Sequence, residues 1–476
     1  MNLATPSSVQ KLQTALHDKA KGSPNFRFYA LYDKVYRKDV LEFAYECCKA
    51  NGGAAGVDGQ SFEDIEKYGV ERWVDELAEE LRSRTYRPLP VRRVYIPKPD
   101  GRQRPLGIAA LEDKIVQRAV VEVLNAIWEA DFLGFSYGFR PGRGQHDALD
   151  ALAVGITKRS VNFILDADIA GFFDTVNHDW LIKFVEHRIA DRRILRLIRK
   201  WLRAGVMEDG VVRPGTVGTP QGAVVSPVLA NIYLHYVFDL WAHHWRKRQA
   251  RGAVILVRYA DDIIAGFEHR AEAERFLAEL RERMRGFGLT LHPEKPRLIE
   301  FGRQAAANRN SRGLGKPETF DFLGFTHICG RSRRGAFQLR RKTRVDRMRA
   351  TLRPVKEALR RRMHEPIDAQ GRWLGQVVRG FNAYHAIPTN FAALAAFRFH
   401  ITGLWRGVLR RRGQKDRMSW RRMTVLQDRW LPKPRIIHPW PSQRFAVRHP
   451  RWEPGAGMPH AGICAGGACQ HASLPR

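Results

Sequence analysis

The segment Ala253–Ala265, AVILVRYADDIIA, decides the fold. An apolar run, Ala253–Val257, leads into Tyr259-Ala260-Asp261-Asp262, and Ile263-Ile264-Ala265 follows. The pattern reads as strand, tight turn, strand, with two adjacent carboxylates at the turn. A carboxylate held on a rigid hairpin can grip a divalent cation. Upstream, Leu165–Asp174 reads LDADIAGFFD, a second apolar stretch ending in acids. Both acidic ends can sit at one edge of one sheet. Aspartates from the two strands could then hold two Mg²⁺ ions, which clamp the attacking and leaving oxygens of a phosphoryl transfer. Taken alone, an Asp-Asp pair at a turn is ordinary hairpin chemistry. Two such ends in a strongly basic chain favour catalysis, with Asp168 and Asp261 as metal ligands and Asp262 in support. Asp166 and Asp174 stay open between a structural and a catalytic role.

The chain has 476 residues, enough for about three domains. It carries 81 Lys/Arg against 49 Asp/Glu, a net charge of +32, which points to a polyanionic partner. Residues 331–430 hold 26 of the basic and 6 of the acidic residues. Phe381, Tyr384, Phe391, Phe397, Phe399, Trp405 and Trp420 are interleaved there. Cations neutralise phosphates, while rings build a small core or stack on bases. The five cysteines, Cys47, Cys48, Cys329, Cys464 and Cys469, form no CxxC pair, so a disulfide framework is not expected. No apolar run reaches the ~18 residues of a membrane span, and the N-terminus has no signal-peptide core. No membrane partner is expected.

Along the chain, Lys34–Lys49 reads as one amphipathic helix and Asn51–Gly59 as a glycine-rich loop. Val91–Ile108 reads as two strands around Pro99-Asp100-Gly101. Residues 178–204 and 270–287 read as helical, 302–318 as an exposed loop and 340–430 as basic helix. The last 45 residues, rich in Pro, Gly and His, read as irregular.

Eight segments in order resemble group II intron-encoded reverse transcriptases and maturases. They are NGGAAGVDG, RPLPVRRVYIPKPDGRQRPLGIAALEDKIVQ, SYGFRPGRGQHDAL, DADIAGFFDTVNHDWL, GTPQGAVVSPVLANIYLH, RYADD, GLTLHPEKPRLIEF and FDFLGF. They span about residues 34–330 and are followed by a basic helical region like the family's thumb and maturase domain. The resemblance implies an α+β right-hand polymerase. Residues 1–160 would be an N-terminal extension and fingers with part of the palm, and 161–335 the palm. Residues 336–430 would be the helical thumb and maturase domain, and 431–476 an irregular tail.

The resemblance also implies roles. Asp168, Asp261 and Asp262 match the palm aspartates, and the Ile169 carbonyl would complete a metal site. Lys98 and Arg104 match residues that hold the incoming triphosphate. Gln221 would pack near the nucleotide, Lys295 would lie near the substrate, and Phe173 would exclude a ribose 2′-hydroxyl. Pro296 stands where the family more often has Thr, and Ala223 where Gly is common. The implied cofactor is Mg²⁺, two ions, with Mn²⁺ as a substitute. The implied partners are group II intron RNA, an RNA template with a DNA primer, target DNA and deoxynucleoside triphosphates. The implied location is the bacterial cytoplasm, with nucleoid association during mobility. His460, Cys464, Cys469 and His471 lack CxxC spacing, so no zinc-bound endonuclease is expected. Two alternatives remain: a domesticated, defence-associated reverse transcriptase, and an RNA-binding splicing factor with a decayed polymerase.

Overall fold

The computed structural model describes residues 3–97, 103–208, 210–213, 215, 217–219, 221–293, 295–413 and 418–448. Lys98, and the tail residues His460, Cys464, Cys469 and His471, lie outside this set. Eleven strands make three sheets among the described residues. They are β1 (Val91–Pro97), β2 (Gln103–Ile108), β3 (Phe163–Asp168), β4 (Val206–Glu208), β5 (Val211–Arg213), β6 (Val254–Tyr259), β7 (Asp262–Phe267), β8 (Arg297–Glu300), β9 (Phe320–Phe322), β10 (Phe325–Arg331) and β11 (Phe337–Thr343).

The sheet that matters most has the order β6-β7-β3-β8. Strands β6, β7 and β3 are apolar on both faces, because helices cover both. Side chains alternate across a strand, and the two hydrophobic cores divide them accordingly. Leu165, Ala167, Leu256, Ile263 and Ala265 join one core with Phe276 of the helix Arg270–Gly286. Ile164, Ile255, Val257 and Ile264 join the other with Leu149 and Leu152 of the helix Gln145–Lys158. A covered sheet reads as unbroken apolar runs rather than alternation, which is the pattern of Ala253–Val257.

The second sheet, β2-β1-β4-β5, contains the antiparallel hairpin of β1 and β2, with Ile96 opposite Arg104. The third, β11-β10-β9, leads into helices Val345–Arg361, Ile367–His385, Phe391–Leu409 and Trp420–Trp430. These helices have a core of their own, built on Leu374, Phe381, Phe397, Ile401 and Trp405. The Phe381 and Phe397 rings stack 3.7 Å apart, and Trp405 Nε1 donates to Gln370 Oε1 at 2.8 Å. Most of the aromatics interleaved with positive charge are thus core residues, while Phe391, Phe399 and Trp420 stay exposed.

Three local readings change. The helix over 34–49 is split into Tyr32–Val35 and Lys38–Ala50, because Arg37 is extended and its guanidinium pairs with Asp39. Residues 302–318 contain a short helix, Ala305–Ser311. The start of the expected irregular tail is ordered. Ile437 N–H donates to Ala386 O at 3.0 Å, a helix spans Pro441–Arg448, and Phe445 is buried in the core beneath Gln145–Lys158. Long-range anchors hold it: Asp150, buried in that helix, accepts from both Arg341 and Arg444.

Removing Asp150 would strand a buried Arg341 guanidinium. Asp150→Ala is therefore expected to cost about 3–5 kcal/mol in denaturant unfolding. A loss below ~1 kcal/mol would show that the anchor is unimportant.

Candidate active site

β3 and β7 pair antiparallel with Asp168 opposite Asp262, and β6 pairs with β7 with Tyr259 opposite Asp262. Only Ala260 and Asp261 separate β6 from β7. Ala260 has a φ of +56°, and Asp261 is not among the positive-φ residues, the pattern of a tight hairpin turn whose first central residue is left-handed. Register and turn together bring Asp168, Asp261 and Asp262 to one edge of the sheet.

The electrostatics show the crowding. Burial pushes the Asp262 carboxyl up to about 7, reinforced by the negative charges of Asp261 and Asp168. Asp261 is also raised, by burial and then by Asp168. Asp166 lies two residues before Asp168 on the same face of β3, and burial lifts it to about 6. Lys295 answers them directly: its Nζ donates to Asp168 Oδ2 at 2.5 Å. Burial opposes the lysine's charge, but the bond to Asp168 and the charges of Asp168, Asp262 and Asp166 outweigh it and raise its pKa.

Among the described residues no three His, Cys, Asp or Glu side chains close into a protein-only metal cage. Mg²⁺ does not need one, since it keeps waters and substrate phosphates in its shell. An open set of hard carboxylate oxygens, destabilised by mutual repulsion, fits such an ion. Ile169, buried next to Asp168, forms a bridge with Leu291, and His292 N–H donates to Asp168 O at 2.8 Å.

The remaining expected residues surround this edge. Gly171, with φ +54°, turns the chain from β3 into the short helix Phe172–Thr175. Phe173 is half-buried there, its ring 5.4 Å from that of Phe172. Gly218 and Thr219 pack behind it, with Thr219 N–H donating to Phe173 O at 2.6 Å. A Cβ at Gly218 would stand 2.8 Å from the same carbonyl, so only glycine fits. Gln221 reaches Asp174 with Nε2 at 3.4 Å, and its own carbonyl accepts from Gly107 N–H of β2 at 2.6 Å. Arg104 of the same strand is exposed, and its charge lowers the pKa of Asp261, opposing the upward shift.

The sequence reading passed over Arg258. It lies in β6, one residue before Tyr259, and is fully buried. The available signal was a lone charge inside the apolar run VILVRYA, which a folded protein tolerates only with partners.

With this geometry in place, the comparisons with known proteins carry weight. The family described as reverse transcriptase (RNA-dependent DNA polymerase) matches residues 96–327. Over 371 residues the chain is 36% identical to protein YkfC of Escherichia coli K12, covering 70% of this chain and 91% of that protein. Over 219 residues it is 38% identical to the group II intron-encoded protein LtrA of Lactococcus lactis subsp. cremoris, covering 44% of this chain and 34% of LtrA. It is 29% identical over 213 residues to the mitochondrial nuclear intron maturase 4 of Arabidopsis thaliana, covering 25% of that protein. The chain belongs to the reverse transcriptase family of group II intron-encoded proteins and intron maturases. It spans about a third of LtrA and a quarter of the plant maturase.

A raised carboxylate pKa has a definite consequence for stability. Asp262 binds its proton more tightly folded, at about 7, than unfolded, at about 3.9. Its ionisation therefore penalises the folded state progressively from about pH 4 to 7 and fully above that. Metal-free Asp262→Asn is expected to melt about 2 °C above wild type at pH 8. Added Mg²⁺ should raise the melting temperature of wild type more than that of the variant. Melting of the variant below wild type would show that the carboxylates do not repel in the fold.

Proposed function

We propose that this chain is an RNA-directed DNA polymerase of a group II intron, and that it also binds its intron RNA and assists splicing and retromobility. The observation that carries the reading is the register of β3 and β7, which sets Asp168 across from Asp262 beside Asp261. A charge of +32 and membership of the family support it. A plain RNA-binding protein gains nothing from buried carboxylates that raise one another's pKa.

In this reading the sheet β6-β7-β3-β8 is the palm, within 161–335. Residues 1–160 hold the N-terminal extension and the fingers, with the β1–β2 hairpin. Residues 336–430 form the thumb and maturase domain, and 431–476 follow it. When bound, two Mg²⁺ ions, or Mn²⁺ in their place, would supply charge neutralisation at the primer oxygen and the triphosphate. Asp168, Asp261, Asp262 and the Ile169 carbonyl would hold them.

The primer 3′-hydroxyl attacks the α-phosphorus of a deoxynucleoside triphosphate. A P–O bond forms to the primer, the bond to pyrophosphate breaks, and the hydroxyl proton passes to solvent. The chain's own contribution is positioning and charge. Arg104, with Lys98, grips the triphosphate, Arg being suited to bidentate contact. Lys295 relieves the carboxylates through Asp168 until phosphate charge arrives. Gln221 packs beside the nucleotide, and the Phe173 ring closes the space that a ribose 2′-hydroxyl would need. The basic helices after residue 344 present cations to RNA phosphates.

Primer extension on an RNA template with Mg²⁺ tests the reading. Wild type is expected to extend, and Asp261→Ala to lose at least about 100-fold, as for removal of a transition-state charge stabiliser. Tight RNA binding without extension by wild type would mean a splicing factor with a decayed polymerase. Phe173→Val is expected to raise ribonucleotide use relative to deoxynucleotide by about tenfold or more. An unchanged ratio would return Phe173 to the core.

A further inference from the structure

Arg258 is the largest charged group that the described structure buries completely, at 0% exposure. All five of its N–H donors are engaged. Nε and Nη2 grip Asp239 as a fork at 2.7 and 2.6 Å. Nη2 also donates to Ser136 Oγ at 2.7 Å, and Nη1 to Asn231 Oδ1 at 3.1 Å. The fifth bond runs from Nη1 to the carbonyl of Ala260 at 3.0 Å. Asp239 is likewise 0% exposed and ends a π-helical turn, His235–Asp239. Such turns interrupt α-helices mostly at functional sites.

The fifth bond is the informative one. The Ala260 carbonyl and the Asp261 N–H belong to one planar peptide unit. Fixing that oxygen fixes the plane from which the Asp261 side chain departs. The same unit is strained, since Ala260 sits at φ +56° without being glycine. Strained backbone persists where its surroundings over-determine it, and here they do. Arg258 N–H donates to Phe135 O at 2.8 Å, and Tyr137 N–H to Arg258 O at 2.9 Å, laying 135–137 along β6. Asn231 Nδ2 donates to Gly138 O at 2.7 Å, and a Cβ on Gly138 would stand 2.3 Å from Ala260 N. The Gly138 backbone therefore lies close against Ala260 N while the guanidinium holds Ala260 O.

Stability does not call for this arrangement. A well-packed apolar pair commonly serves a core as well as a buried ion pair. We infer that Arg258, locked by Asp239, Asn231 and Ser136, is a positioning residue that sets the Ala260–Asp261 peptide and so aims the Asp261 carboxylate. The inference rests on the reading of Asp261 as a catalytic metal ligand. It adds that the aim is set by a guanidinium that touches no substrate.

The experiment uses the full chain and separates aim from stability. Arg258→Met alone leaves Asp239 buried and unpaired, and should melt well below wild type. Adding Asp239→Leu makes the pair apolar, and melting should recover to near wild type. In that double variant, amide exchange in peptides covering 259–262 should be at least about tenfold faster, while the rest of the palm keeps its protection. Primer extension should fall by about 100-fold, mainly in kcat, as for misplacement of a reacting group by ~1 Å. The Mg²⁺ concentration for half-maximal rate should rise. Wild-type exchange at the turn, or wild-type extension at wild-type Mg²⁺, would overturn the inference. Should the double variant not fold, Arg258→Lys decides. It keeps a charge beside Asp239 but cannot fill all five bonds, so the same loss at the turn is expected. Arg258→Lys with wild-type turn exchange and extension overturns the inference. If wild type extends nothing, the polymerase reading fails, and turn exchange alone still decides whether Arg258 aims Asp261.

Discussion

Like charges in a buried place are the constraint around which this molecule is arranged. β3 and β7 pair so that Asp168 faces Asp262, and the turn adds Asp261. Burial and mutual repulsion raise Asp261 and Asp262, a state that an isolated chain would relax by moving the carboxylates apart. Relaxation is blocked because both strands are anchored by apolar residues on both faces. A slip of one residue in the pairing would exchange the two faces of β3, moving Leu165 and Ile164 into each other's cores. The hydrophobic pattern that makes the sheet thus enforces the electrostatic stress at its end.

Charge is segregated on a larger scale as well. The acidic edge belongs to a sheet buried between two cores, whereas the surplus of Lys/Arg lies in residues 331–430, most of whose helical part has a core of its own. On the proposed reading, cations that meet phosphates can then stay hydrated and exposed, while carboxylates that meet a metal stay half-buried. Mixing them would let arginines pair with the aspartates, as Lys295 does with Asp168. The ordered segment after residue 430 ties the two regions together through Asp150, which holds Arg341 from β11 and Arg444 from the last helix.

The parts that were legible in the sequence are those whose partners lie nearby. The Tyr259–Asp262 hairpin and the β1–β2 hairpin are local pairings with turn residues at their tips, and the apolar runs announce them. The long-range contacts were not legible. Parallel pairing of Val91 with Val206 joins segments more than 100 residues apart, and neither run says which strand it will meet. Arg258 was visible as an oddity, but its partners Ser136, Asn231 and Asp239 come from two distant segments, and one of them depends on a π-helical turn that has no simple pattern. The tail's composition is that of disorder, yet the buried Leu431 and Phe445, backbone bonds from Ile437 and His438 to Ala386, and Arg444 on Asp150 dock its first part.

The short stretch 218–221 brings two proposed roles to neighbouring residues. Its Thr219 amide and its Gly218 backbone lie against the Phe173 carbonyl, while the Gln221 carbonyl takes the amide of Gly107 in β2. β2 also carries Arg104, the proposed triphosphate ligand. β2 and the backbone of Phe173 thus each bond to a residue of the same short stretch of sequence, Gln221 and Thr219. On the proposed reading, the backbone of the ring that rejects ribose and the strand of the arginine that holds phosphate are both braced by neighbouring residues, Thr219 and Gln221.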